Sequence, residues 1–146
     1  MLEIKLERIV RALIVKDGKI LLCKNLLGGG HYFLPGGHIE DGESPEIALD
    51  RELMEEIGQN YTDLKKVAEV RNAYEKGGKK YDEVFYIYLT KLSDYSNIKS
   101  KENHLAFEWV SLEDFSKINF KPQKSVKDIL DSIKNNNDFW ETGTAS

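Results

Sequence analysis

The sequence predicts an α/β (α+β) domain: a mixed central sheet with helices on opposite faces, an α/β/α sandwich. Three features lead there. β-prone apolar runs at residues 9–15 and 20–23 precede one amphipathic helical stretch at 45–57. Two more runs, at 66–74 and 81–90, follow it, and a second amphipathic stretch at 123–134 comes near the end. Strand blocks on both sides of one helix, closed by another helix, call for a sheet whose two faces are both covered. No internal repeat, linker or low-complexity block interrupts the 146 residues. Residues 1–134 are therefore expected to form one domain and residues 135–146 a polar, flexible tail.

Each element has its own signal. Asp17-Gly18 between the first two runs marks a hairpin. Residues 26–31 hold three consecutive glycines and read as a loop, and Tyr32-Phe33-Leu34-Pro35 reads as an extended piece leading to Gly36-Gly37. Residues 75–80 form an exposed hairpin loop between the two later runs. Residues 84–89 are almost unbroken apolar, as the middle of a doubly covered sheet requires. Residues 92–103 read as polar surface loop and 104–110 as the last strand. Ser111 is the N-cap of a short helical turn, and Pro122 opens the final helix, with Val126, Ile129, Leu130 and Ile133 on one face. In the tail, Phe139 and Trp140 stand out, either exposed or docked on a partner.

Composition narrows the function classes. Apolar residues make up 40% of the chain and charged residues 32%, ordinary for a soluble globular domain. A net charge of −4 argues against a surface that tracks long nucleic acid. It leaves small phosphorylated molecules open where a metal and local lysines offset the repulsion. The single cysteine, Cys23, excludes an internal disulfide. It lies in an apolar run without a basic neighbour in sequence, so a small core residue in a reducing compartment is expected, not a nucleophile. No signal-peptide pattern and no run of membrane-spanning length is present, so a cytoplasmic protein with no membrane partner is expected. His31 and His38 have no metal-ligand spacing to another His or Cys.

The chemistry sits in residues 36–59, GGHIEDGESPEIALDRELMEEIGQ. Ser44 is the expected N-cap, Pro45 the first helical residue and Gly58 the C-cap, with Ile47, Leu49, Leu53, Met54 and Ile57 as the docking surface. Glu52 shares a helix face with both Glu55 and Glu56, three and four residues on. Three carboxylates so crowded repel one another, and a hard divalent cation is their natural companion. A solvated helix face with an Arg51–Glu55 pair is the plain alternative. What favours the metal is the loop ahead of the helix, where Gly36 and Gly37 permit a main-chain carbonyl to be aimed inward.

Gly37, Glu43, Arg51, Glu52, Leu53, Glu55, Glu56 and Gly58 stand at the spacing of the Nudix box, and the stretch resembles it closely. One position departs: Gln59 stands where an aliphatic residue is usual, which weakens the packing of the helix exit and not the chemistry. The box covers roughly a sixth of the chain. The element order matches the Nudix-type α/β/α sandwich over most of the rest.

The resemblance implies a hydrolase that cleaves a nucleoside di- or triphosphate linked to another moiety, by water attack on phosphorus. It implies Mg²⁺, with Mn²⁺ as a substitute, held by Glu55, Glu56, the Gly37 carbonyl and the Glu52 carboxylate. Glu52 is also the candidate base, although in some relatives the base comes from a later loop. Arg51 and Glu43 are expected to pair and hold the glutamates in register, with helix capping and surface pairing as the alternative. Glu102, in the loop before the last strand, is either a further metal ligand or an ordinary loop carboxylate. Glu108 is its rival, and Asp82 and Glu83 are weaker candidates. For substrate binding the expectation is Gly36, Arg11 and Lys24, with Lys24 ahead because relatives often carry a basic residue near the end of the second strand. Tyr32, Phe33 and Tyr74 are the aromatic candidates, with Phe85 and Phe120 as further choices for a base slot.

Within the family, the short length and the Trp109-Val110-Ser111-Leu112 run look most like MutT-type nucleoside triphosphate pyrophosphohydrolases. A dinucleoside polyphosphate or nucleotide-sugar hydrolase is the alternative, and Tyr74 fits the former loosely. No proline lies between Pro45 and Pro122, unlike ADP-ribose pyrophosphatases, and the zinc-binding signature of NADH pyrophosphatases is absent. A Nudix-fold binding module that senses a nucleotide without cleaving it tends to lose box acids, and all are retained here. An isoprenoid diphosphate isomerase would need a reactive cysteine in the site, and Cys23 lies upstream of the box. Family members often dimerise, so a homodimer is left open.

Overall fold

The computed structural model describes residues 3–96 and 98–142. In chain order the strands are β1 (Ile4–Leu13), β2 (Val15–Lys16), β3 (Lys19–Asn25), β4 (Tyr32–Phe33), β5 (Gly36–His38), β6 (Tyr61–Lys76), β7 (Lys79–Leu92) and β8 (Leu105–Ser111). The helices are α1 (Pro45–Ile57), α2 (Leu112–Phe115), α3 (Val126–Asn135) and α4 (Asn137–Thr142), with a 3-10 turn, Gln123–Ser125, leading into α3.

Side-chain alternation along β1 sets the architecture. Ile9 and Leu13 enter one core, while Val10 and Ala12 enter another on the opposite face. The same alternation recurs in β3, where Ile20 and Leu22 turn one way and Leu21 the other. The first core is closed by α3 through Val126, Ile129 and Ile133, and the second by α1 through Ala48, Leu49 and Leu53. The sheet is mixed, in the order β5-β1-β7-β6. β1 and β7 run parallel, from Ile4 opposite Lys80 to Leu13 opposite Leu89, and the outer pairs are antiparallel. A smaller antiparallel sheet builds on β3, with β8 along its length and β2 and β4 also paired to it.

Several boundaries differ from the sequence reading, each for a local reason. The run 9–15 divides at Ile14, whose carbonyl accepts from the Leu21 N–H at 2.9 Å, and Val15 starts a strand of the second sheet. The later strands are longer than expected. Their loop contracts to Gly77-Gly78, both at positive φ, so the ladder continues to Lys76 opposite Lys79. On α1, Ile47 and Met54 face solvent, and the buried stripe is Ala48, Leu49, Leu53 and Glu56. In the stretch read as a polar tail, α4 forms, and Phe139 and Trp140 pack against the α3-side core. Residues 143–146 of that stretch lie outside the described residues. Among the described residues no helix is long and apolar enough to cross a membrane.

Candidate active site

The local chemistry of residues 36–58 builds the site from both ends. Ser44 Oγ accepts from the Ile47 N–H at 3.2 Å, Pro45 fills the first turn, and Gly58 ends the helix at φ 75°, its N–H shared between the Leu53 and Met54 carbonyls. Fixed in this way, α1 presents Glu52 and Glu56 toward β5. Gly36, at φ 139°, packs so closely on β1 that a Cβ would overlap the Val10 carbonyl oxygen. Gly37 is covered by Glu52: a Cβ there would stand 2.6 Å from both carboxylate oxygens. These two glycines let the acids approach the strand backbone.

Glu56 is the centre of this arrangement. It is 4% exposed, and its Oε2 accepts the Gly36 N–H at 3.2 Å. Burial pushes its carboxyl up to about 8. Arg11 and the Gly36 N–H pull the other way, while Glu52 and Glu102 add to the rise. Glu52 is raised too, by burial first, against the pull of Arg51. Glu55 is exposed and lies 3.4 Å from Arg51. Arg51 grips Glu43 through two bonds, Nε to Oε2 at 2.8 Å and Nη2 to Oε1 at 2.9 Å. It also donates to Glu52 Oε1 at 2.9 Å and to the His38 carbonyl at 3.0 Å. Arg51 holds the Glu43 carboxyl down at about 2. Arg51 therefore ties helix, loop and β5 together.

Arg11, half-buried on β1 beside Gly36, has Glu56 as its first opposite charge, followed by Glu52 and Glu83, and lies over the Phe33 ring at 5.2 Å. Lys24 is placed elsewhere, its ammonium 5.5 Å from the Tyr32 ring centre. Tyr32 in turn donates its hydroxyl to Glu108 at 2.7 Å, so Glu108 is engaged on the second sheet. Glu102 is brought toward Glu56 because the neighbouring Lys101 N–H bonds the Glu56 carbonyl at 3.0 Å; its carboxylate lies 3.3 Å from His104. Phe120 is buried in the core, whereas Phe33, Tyr74 and Phe85 line a cleft of about 580 Å³ that also reaches Arg11, His38, Asn72 and Glu83. Asn72 and His31 were not among the sequence candidates. They come to the cleft through strand register and the loop before β4, which no local motif announces. The Cys23 thiol is buried, and burial and Glu56 push it well up, away from thiolate chemistry.

Among the described residues, no three acid, histidine or cysteine side chains converge into a ready ligand set: Glu52 and Glu55 lean on Arg51, while Glu56 turns to Gly36. The donors nevertheless suit a hard divalent cation. They are carboxylates and a carbonyl, and against the buried Glu56, crowded by Glu52 and Glu102, the opposing positive charge is that of Arg11.

Comparison with known proteins adds four findings. A family model described as NUDIX domain matches residues 5–129. An Escherichia coli protein named Nucleoside triphosphatase NudI is 35% identical over 118 residues, covering 73% of this chain and 82% of its own. A NUDIX hydrolase from Nitrosomonas europaea superposes with a TM-score of 0.70 at 20% identity over 90% of each chain. A MutT structure from work on Aliivibrio salmonicida and Vibrio cholerae does so at 0.59 and 24%, over 90% of this chain and 99% of its own. At those identities the two structural likenesses are of fold.

Proposed function

The chain belongs to the Nudix family of hydrolases, and from that premise we propose that it is a divalent-metal-dependent pyrophosphohydrolase converting a nucleoside triphosphate and water into nucleoside monophosphate and pyrophosphate. The observation that carries the reading is Glu56: a buried carboxylate, raised to about 8, beside Glu52 and Glu102. The name of the NudI relative, a nucleoside triphosphatase, supports the triphosphate class.

The residues proposed to hold the cation, Mg²⁺ with Mn²⁺ as substitute, are Glu52, Glu55, Glu56, Glu102 and the Gly37 carbonyl. When bound, the cation screens the phosphate oxygens and lowers the pKa of water. The chain's own residues do the rest. Glu52, its carboxyl raised by burial, takes the proton from the attacking water. The water oxygen joins phosphorus, one P–O–P bond breaks, and pyrophosphate departs. Arg51 and Glu43 hold Glu52 against Gly37 throughout. Arg11 is placed ahead of Lys24 as the partner of the phosphates, because it lies with the acids at the cleft. Phe33 and Tyr74 supply aromatic walls. A small nucleotide in a reducing, cytoplasmic setting is the proposed partner.

The test is phosphate and pyrophosphate release with Mg²⁺ over nucleoside triphosphates, oxidised nucleotides, ADP-ribose, dinucleoside polyphosphates and nucleotide sugars, with Glu56→Gln as control. Cleavage of triphosphates that vanishes in the mutant is the expected result. Cleavage confined to dinucleoside polyphosphates or nucleotide sugars would replace the substrate class, and silence across the panel would remove the hydrolase.

A further inference from the structure

One wall of the cleft carries a pair of side chains that the hydrolytic steps do not use. Asn72 of β6 and Glu83 of β7 stand opposite each other in the ladder, and Asn72 Nδ2 donates to Glu83 Oε1 at 3.2 Å. Both are half-buried, and both line the cleft. Phe85, two residues along β7, is buried beneath them, and Tyr74, two along β6, is stacked on Tyr81 at 4.9 Å. The neighbouring acid on β1, Glu7, is already engaged: His38 lies at 2.8 Å and Lys5 at 3.3 Å from its carboxylate. Glu83 Oε2 and Asn72 Oδ1 have no hydrogen-bond partner among the described residues. The pair therefore offers two acceptors, with the second Asn72 Nδ2–H as its one donor, to whatever enters.

Its position matters as much as its chemistry. Arg11 stands opposite Ile87 in the β1–β7 ladder, so Glu83 is one strand across and four residues back. Strand spacing and rise put their Cα atoms about 14 Å apart, and the two side chains face one cleft closely enough that Arg11 feels the Glu83 charge. A nucleotide with its phosphates at Arg11 and the acids can bring the edge of its base to Glu83.

We infer that Glu83, positioned by Asn72, reads the substrate's nucleobase and favours bases that carry an exocyclic amine over uracil and thymine. The inference rests on the proposed triphosphate hydrolase. A carboxylate only accepts hydrogen bonds. Guanine, cytosine and adenine each offer an NH₂ donor to it. Uracil and thymine flank their one N–H with two carbonyl oxygens, which would face the Glu83 carboxylate acceptor to acceptor. A polar site rejects such a ligand because its buried groups are left unpaired.

The experiment compares kcat/KM for dGTP, dCTP, dATP, dTTP and dUTP in wild type and Glu83→Gln. Wild type is expected to prefer the amino-bearing bases by roughly tenfold or more. Glutamine keeps the shape and adds a donor, so the ratio to dTTP and dUTP should close to within about threefold in the variant. A flat wild-type ranking, or a variant that loses all five substrates equally, overturns the role of Glu83. Calorimetric binding of the same nucleotides with Ca²⁺ in place of Mg²⁺ separates this from failure of the hydrolase reading. Absent turnover with the ranking kept in binding would sink the hydrolase and support Glu83, whereas a flat ranking in binding would sink Glu83.

Discussion

Gly36 donates its backbone N–H to Glu56 Oε2 across 3.2 Å, joining the first glycine of the loop to the last acid of the helix face. That one bond and the Arg11 guanidinium are what the described residues supply against the charge of a carboxylate that is 4% exposed. Four expectations follow from this imbalance and from the frame around it.

Glu56→Gln keeps the side chain's shape and removes its charge. Turnover should fall by orders of magnitude, while the metal-free melting temperature at mildly alkaline pH stays level or rises, since a buried charge has gone. Paired melting curves and pyrophosphate-release assays check both halves. Wild-type turnover in the mutant would remove Glu56 from the ligand set.

Stability of the metal-free protein should decline as pH rises from the ordinary carboxyl value of 4.5 toward 8. The folded carboxyl, at about 8, keeps a proton in that window which the unfolded chain releases, so the folded state is favoured at the acid end and loses that advantage as pH climbs. Mg²⁺ competes with the same proton. The rise in melting temperature on adding Mg²⁺ should thus be larger at about pH 9 than at about pH 6. Thermal scans with EDTA and with Mg²⁺ across that range give the answer, and an increment independent of pH would contradict it.

Arg51→Lys exchanges a planar fork for a point charge and cannot reproduce the twin bonds to Glu43 together with those to Glu52 and the His38 carbonyl. Roughly 10–100-fold should be lost in metal affinity or activity. Mg²⁺ titration of activity would show the curve displaced to higher concentration, with a far-ultraviolet circular dichroism spectrum like that of wild type. An unchanged Mg²⁺ curve would reduce Arg51 to a surface ion pair.

The adjacent glycines should fail differently. A methyl at Gly37 meets the Glu52 carboxylate, a side chain that can swing aside, so Gly37→Ala should fold and lose turnover. A methyl at Gly36 meets the Val10 carbonyl and sits at φ 139°, so Gly36→Ala should lower the melting temperature as well. Equal melting temperatures for the two variants would contradict the contrast.

Much of this was legible because it is local chemistry. Ser44, Pro45 and Gly58 fix the ends of α1 through bonds within a few residues, and the alternation of Ile9, Val10, Ala12 and Leu13 states which faces are covered. The three glutamates were legible as a group, but not their unequal burial. Helical spacing cannot tell that α1 docks through Ala48, Leu49 and Leu53, drawing Glu56 inward and leaving Ile47 and Met54 outside. Neither could it show that Arg11 rather than Lys24 lies with the acids, nor that Asn72 meets Glu83. Both depend on register between strands distant in sequence. In the tail, Phe139 and Trp140 stand out in the sequence, but their packing against the chain's own core from a short helix depends on contacts that composition does not state.

β1 and β3 each lend alternate residues to two cores, so neither core owns its wall. Removing the helix from one face exposes the backs of strands whose fronts still hold the other. The two halves should therefore melt as one cooperative unit, without a half-folded species in which one face survives. The acids of α1 would then keep their places until the whole molecule opens.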